Sequence, residues 1–132
     1  MYLSAKDIGA MDADRRVHFL NERAIRFHRS LGDAVGMQNL GIHLVTVAPG
    51  DHSTEFHCHG YEEEAIYILS GTGTATIGDA SQSVGPGDFL GFPANGVPHD
   101  MVNDGDEPLA LLLESIAHGL RPAGAAMPRR VP

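Results

Sequence analysis

The stretch GDHSTEFHCHGYEEEAIYILSG, running from Gly50 to Gly71, decides how the rest of the chain is read. In an extended strand alternate side chains share a face, so His57 and His59 project together and Cys58 projects away. A pair of imidazoles on one side of a strand is a ready chelate for a metal ion. Gly60 marks a turn, and Glu62, Glu63 and Glu64 then open an apolar run, Ala65 to Leu69. A carboxylate placed there can return to the histidine face as a third ligand. A second stretch, PGDFLGFPANGVPHDMVN from Pro86 to Asn103, sets His99 at the opening of a strand after a turn, where it can supply a fourth.

Outward from these stretches the pattern is one of short strands. Runs over 37–48, 54–59, 65–69, 74–77, 82–84, 88–92, 98–103 and 109–115 read as extended, several of them rich in β-branched residues. Turn signals separate them: Pro49-Gly50, Gly60, Ser70 to Gly73, Gly78-Asp79, Gly85 to Gly87 and the polar segment Asn103 to Glu107. Strands recurring about every 8–12 residues between glycine turns indicate an all-β sandwich or barrel. Upstream, Ser4 as N-cap with Asp7 at N3 predicts a short helix before Met11. Ile25, Phe27, Arg29 and Leu31 alternate with Arg26, His28 and Ser30, which predicts a strand over 24–31. The expected organisation is an N-terminal extension, 1–36, packing on the barrel or on a partner, then a barrel, 37–115, and a tail, 116–132. That tail is rich in Ala, Gly, Pro and Arg, and is expected on the surface or against a partner subunit.

A chain of 132 residues, 42% apolar and 20% charged, fits one globular domain. Its 9 basic and 17 acidic residues give a net charge of −8, which argues against nucleic acid and anionic membrane as partners, since both select a positive field. No apolar run approaches the roughly 18 residues of a membrane-spanning helix. The opening MYLSAKDIGA lacks a basic segment followed by an apolar run, so no secretory leader is expected. With Cys58 as its one cysteine the chain can form no internal disulfide, and a cytoplasmic setting is expected. The 8 histidines are many for this length, and together with the turn-rich composition they suggest a β scaffold holding a metal.

On these residues the chain resembles the cupin superfamily. The first motif of that family, G-x5-H-x-H-x3,4-E-x6-G, is met by His57, His59, Glu64 and Gly71, with Gly50 one residue further upstream than the pattern asks. The second, G-x5-P-x-G-x2-H-x3-N, is met by Gly87, Pro93, Gly96, His99 and Asn103, with one extra residue between Pro93 and Gly96. The resemblance implies a single jelly-roll β-barrel with a short N-terminal helical and strand extension. It also implies one divalent metal, held near the barrel mouth by His57, His59, Glu64 and His99. The spacing to Gly71 selects Glu64 over Glu63, and strand parity sets those two on opposite faces; Glu62 reads as a solvated turn residue.

Glu55 shares the strand face of His57 and is a candidate catalytic residue pointing into the pocket. His43 is a second candidate, as a proton shuttle, against the plainer reading of a structural histidine. His52 reads as solvated, Tyr67 as packing, and Phe89, Phe92 and Met101 as barrel lining or core. Asn103 reads as a residue that pins a turn by hydrogen bonds. Imidazole and carboxylate ligands admit Fe, Mn, Ni or Zn. Such a metal serves as a Lewis acid or as an oxygen-binding centre, so the resemblance implies a dioxygenase, isomerase or decarboxylase type of enzyme acting on a small oxygen-rich molecule. The rival expectation is a non-catalytic cupin that binds a metal or small molecule as a sensor or store. By analogy with small single-domain relatives, a homodimer is expected.

Overall fold

The computed structural model describes residues 1–18, 21–53, 62–94 and 96–117, with the backbone alone at positions 62 and 117. The strand expected over 54–59 and most of the expected tail lie outside the described residues. Within them are the helices α1 (Ala5–Ala10) and α2 (Leu31–Ala34) and nine strands. The strands are β1 (Asp14–His18), β2 (Asn21–Ser30), β3 (Gly41–Val47), β4 (Glu62–Ser70), β5 (Gly73–Ile77), β6 (Ala80–Val84), β7 (Phe89–Phe92), β8 (His99–Val102) and β9 (Leu109–Ala117). They form an antiparallel six-stranded sheet in the order β1-β2-β3-β9-β4-β7 and a three-stranded sheet in the order β6-β5-β8.

One face of each sheet is buried against the other. In β3 Gly41, His43, Val45 and Val47 are buried, while Ile42, Leu44 and Thr46 between them are half-buried, the period of two that a one-sided strand demands. The larger sheet contributes Val45, Val47, Ile66, Ile68, Leu90, Phe92, Leu109, Leu111 and Leu113 to a single core. The smaller contributes Ala75, Val84 and Met101. Phe92 and Met101 are therefore core, as expected from sequence. Phe89 is not: it is 67% exposed. It stands three residues from Phe92 on the same strand, so the two cannot share a face.

The turns follow the glycines. At Ala48 to Asp51 the Asp51 amide donates to the Ala48 carbonyl at 3.1 Å, with Pro49 and Gly50 as the central pair and Gly50 at φ +86°. That is a type II turn, whose third residue needs a positive φ. Asn103, fully buried, staples this turn to the next. Its side-chain amide donates to the carbonyls of Val47 at 2.9 Å and Glu107 at 2.8 Å, and its oxygen accepts from the Gly105 amide at 3.0 Å. Asn103→Ala leaves those groups without their partner in a dry setting, and should lower stability by about 2 kcal/mol. Urea unfolding checks this, and a midpoint equal to that of the parent chain would count against it.

The N-terminal segment does more than pack on the barrel. Ser4 and Asp7 form the expected reciprocal cap of α1, and β1 and β2 extend the larger sheet. In β2 the strand is as expected but its polar set faces inward. Ala24, Arg26 and His28 are buried, while Ile25 and Phe27 are half-buried on the other face, opposite Val17 and Thr46.

Candidate metal centre

Glu64 on β4 and His99 on β8 come from different sheets and meet inside the barrel. Glu64 Oε1 lies 3.3 Å from His99 Nε2, and their side chains are 12% and 5% exposed. Two contacts fix the imidazole. Phe92, the register partner of Glu64 on β7, stacks on it with centroids 3.6 Å apart and planes 6° from parallel. Its Nδ1 lies 3.2 Å from the Val97 carbonyl oxygen. A carbonyl only accepts, so Nδ1 carries a proton, and Nε2 is the nitrogen that faces the carboxylate. A carboxylate and an imidazole nitrogen turned toward one another in a largely buried setting are the donor types that hold a divalent cation. A histidine whose Nδ1–H is spent on a backbone carbonyl is also the usual form of a metal ligand. These two side chains therefore fit the ligand roles expected of them.

Glu63 is exposed and Glu64 is turned inward, as parity requires. His57, His59, Glu55 and Cys58 lie outside the described residues. Among the described residues, no group of three or more His, Cys, Asp or Glu side chains gathers closely enough to hold a metal. His52 differs from expectation: it is half-buried, and its Nδ1 donates to Asp100 Oδ2 at 2.7 Å.

Arg26 reaches the same interior. With Glu64, His99, Ser53, Leu111 and Leu113 it lines a space of about 20 Å³, room for about one water. Burial pulls the Arg26 guanidinium down from its ordinary value to about 10, with Glu64 opposing that shift and Arg16 adding to it. At neutral pH it is still a cation. His43 is buried and packs against His28, with ring centroids 5.2 Å apart at 77° and the Nδ1 atoms 3.4 Å apart. One Nδ1 donates and the other accepts. The Nε2 of His28 is buried without a hydrogen-bond partner.

Burial first, then Arg26, Arg16 and His43, pulls the His28 imidazole from 6.5 down to about 3. The unfolded chain takes up this proton before the native one does. Stability from this group is thus whole above about pH 6.5 and is lost as pH falls toward 3. His28→Gln should flatten the acid arm of a stability–pH curve between those limits. Parallel curves for the two chains, from urea unfolding at several pH values, would count against it.

The sequence reading missed Arg26 and His28 because both stand outside the motifs. The alternation of β2 held the signal, since one member of each pair along it must face the interior.

Residues 43–114 match the family model for the Cupin domain. A solved structure of a candidate sugar phosphate isomerase from Acidithiobacillus ferrooxidans is 48% identical, covers 87% of this chain and 74% of its own, and superposes with a TM-score of 0.85. A sugar phosphate isomerase of the cupin superfamily from Silicibacter pomeroyi is 27% identical, covering 88% and 75% with a TM-score of 0.76. A candidate oxalate decarboxylase from Thermotoga maritima, 20% identical over 83% of this chain and 96% of its own, with a TM-score of 0.71, shares the fold. No curated protein matches the chain. Among the described residues no helix is long and apolar enough to cross a membrane.

Proposed function

The chain belongs to the cupin family, and from that premise we propose that it is a metal-dependent enzyme acting on a small oxygen-rich molecule, specifically an isomerase of a sugar phosphate. The observation that carries this reading is the 48% identity, over 87% of the chain, to a protein described as a candidate isomerase of that class. The inward carboxylate of Glu64 and the imidazole of His99, 3.3 Å apart, support it.

Moving a sugar carbonyl to its neighbouring carbon requires a proton to leave one carbon and return to the next. A divalent cation held by His57, His59, Glu64 and His99 would supply Lewis acidity that makes that proton easier to remove. The chain's own residues do the rest. Phe92 and the Val97 carbonyl hold His99 in one orientation and one tautomer. Apolar neighbours such as Leu111 and Leu113 keep bulk water away from the interior. Glu55 and His43 are our assignments for carrying the proton. The rival reading is a binding module without turnover.

The test loads the chain with Mn(II), Fe(II), Ni(II) or Zn(II) and follows aldose and ketose phosphates by NMR in deuterated water. Interconversion with solvent deuterium appearing at carbon is the expected result. Stoichiometric metal with ligand binding but no exchange across the panel would select the binding module. Dioxygenase chemistry would instead appear as oxygen uptake.

The cytoplasmic setting and the homodimer belong to the same proposal. Tyr67, Phe89 and Ile116 stand exposed on one outer face of the larger sheet, and an area this apolar suits a second copy. Sedimentation at twice the chain mass is expected, and at the single-chain mass the pairing is refuted.

A further inference from the structure

We infer that Arg16, Arg26 and the Nε2 edge of His28 form an anion subsite on the inner face of β1 and β2, and that it receives the phosphate group of the substrate. This rests on the sugar phosphate reading above, and it locates where that substrate is gripped.

Register places the parts together. Arg16 stands directly opposite Arg26 in the β1–β2 pair, so their side chains share a face, and His28 follows two residues after Arg26 on the same side. Like charges set directly opposite one another are unfavourable in a sheet. Here two arginines take directly opposed positions in a chain with a net charge of −8. Asp14, opposite His28 in the same register, lies 4.0 Å from Arg16 but is 77% exposed, a weak counter-charge. No described residue hydrogen-bonds the Arg26 guanidinium. Glu64 acts on it electrostatically, but that carboxylate also has a cation to hold. An anion bridging Arg16 and Arg26 resolves the repulsion and uses the forked donors that suit phosphate oxygens.

His28 adds the second observation. It is 3% exposed, and its Nε2 has no hydrogen-bond partner. When His43 donates from Nδ1 to His28 Nδ1, the His28 proton sits on Nε2. A buried donor is then left without an acceptor, beside two cations, which is costly unless an anion takes it. Exposure grades along the cluster, from 39% for the Arg16 side chain to 8% for Arg26. The anion therefore enters at the Arg16 end. The space of about 20 Å³ beside Arg26, Glu64 and His99 is too small to hold a phosphate group, so the anion sits toward Arg16.

The experiment uses the whole chain with its metal and inorganic phosphate as probe, with chloride as control, read by calorimetric titration and thermal melting. Phosphate should bind and raise the melting temperature of the parent chain. Arg26→Gln should weaken phosphate by about tenfold or more, and Arg26→Lys should recover part of that loss. Arg16→Gln, at the open end, should weaken it less and serves if the Arg26 variants fail to fold. Elemental analysis should find the metal retained in all of them. His99→Ala should keep the phosphate response, which separates this subsite from anion binding on the metal. The inference is overturned if the parent chain ignores phosphate, if the arginine variants bind it as the parent does, or if His99→Ala alone abolishes it. Phosphate binding through Arg26 without isomerisation of any sugar phosphate would sink the proposed function and leave the subsite standing.

Discussion

Gly71→Ala should lower stability by about 4 kcal/mol and the melting temperature by roughly 10–20 °C. Two effects add at this one position. Its φ of +81° lies in the left-handed region, where a residue with a Cβ pays roughly 1–2 kcal/mol. The new Cβ would also land on the Pro108 carbonyl oxygen and 2.8 Å from Leu109 Cα. Both are main-chain atoms at the start of β9, so no side chain can rotate aside, and Leu109 is fully buried in the core. Relief requires β9 to shift away from β4, its most extensive neighbour in the larger sheet. Overpacking of this kind costs about 1–3 kcal/mol, and the sum is a large share of the roughly 5–15 kcal/mol of a typical domain. Urea unfolding should show a lower midpoint at an unchanged slope. A change below about 1 kcal/mol would mean that the two backbones separate freely.

The second large effect is on the metal rather than the fold. His99→Ala should reduce metal affinity by about 100-fold or more, since even the partners that orient a ligand are worth about 10–100-fold. The fold should survive. The ring is stacked on Phe92 at the core edge, so its loss opens a small space and costs about 1–2 kcal/mol of aromatic contact and burial. Glu64, left without the imidazole, keeps its place on β4 between its register partners Phe92 and Ser115. Metal content by elemental analysis, with far-ultraviolet circular dichroism as control for folding, decides the matter. Full stoichiometry in the variant would remove His99 from the centre.

The strands from β2 onward were legible because glycine and proline turns punctuate them, and their bounds lie within about four residues of those expected; β1 was not expected, because DRRVH lacks an apolar alternation of its own. The inward placement of Glu64 and His99 and the turn-pinning by Asn103 were legible because strand parity and motif spacing both act locally. The facing of β2 was not. A period of two says that Arg26 and His28 share a face, but it does not say which face is inside. The usual default turns the apolar set inward. That default fails where a sheet face lines a polar site and the opposite face is itself covered in part, as Ile25 and Phe27 are. The inward turn of Phe92 and the outward turn of Phe89 illustrate the same ambiguity, resolved only when β7 pairs with β4.

The family match begins at His43, whereas β1 and β2 end before it, at Ser30. On the proposals made above, the anion subsite would be spelled by a leading cassette and the metal centre by the shared scaffold behind it. Exchange of residues 14–30 between relatives would then change which substrates are gripped and leave the metal ligands as they are.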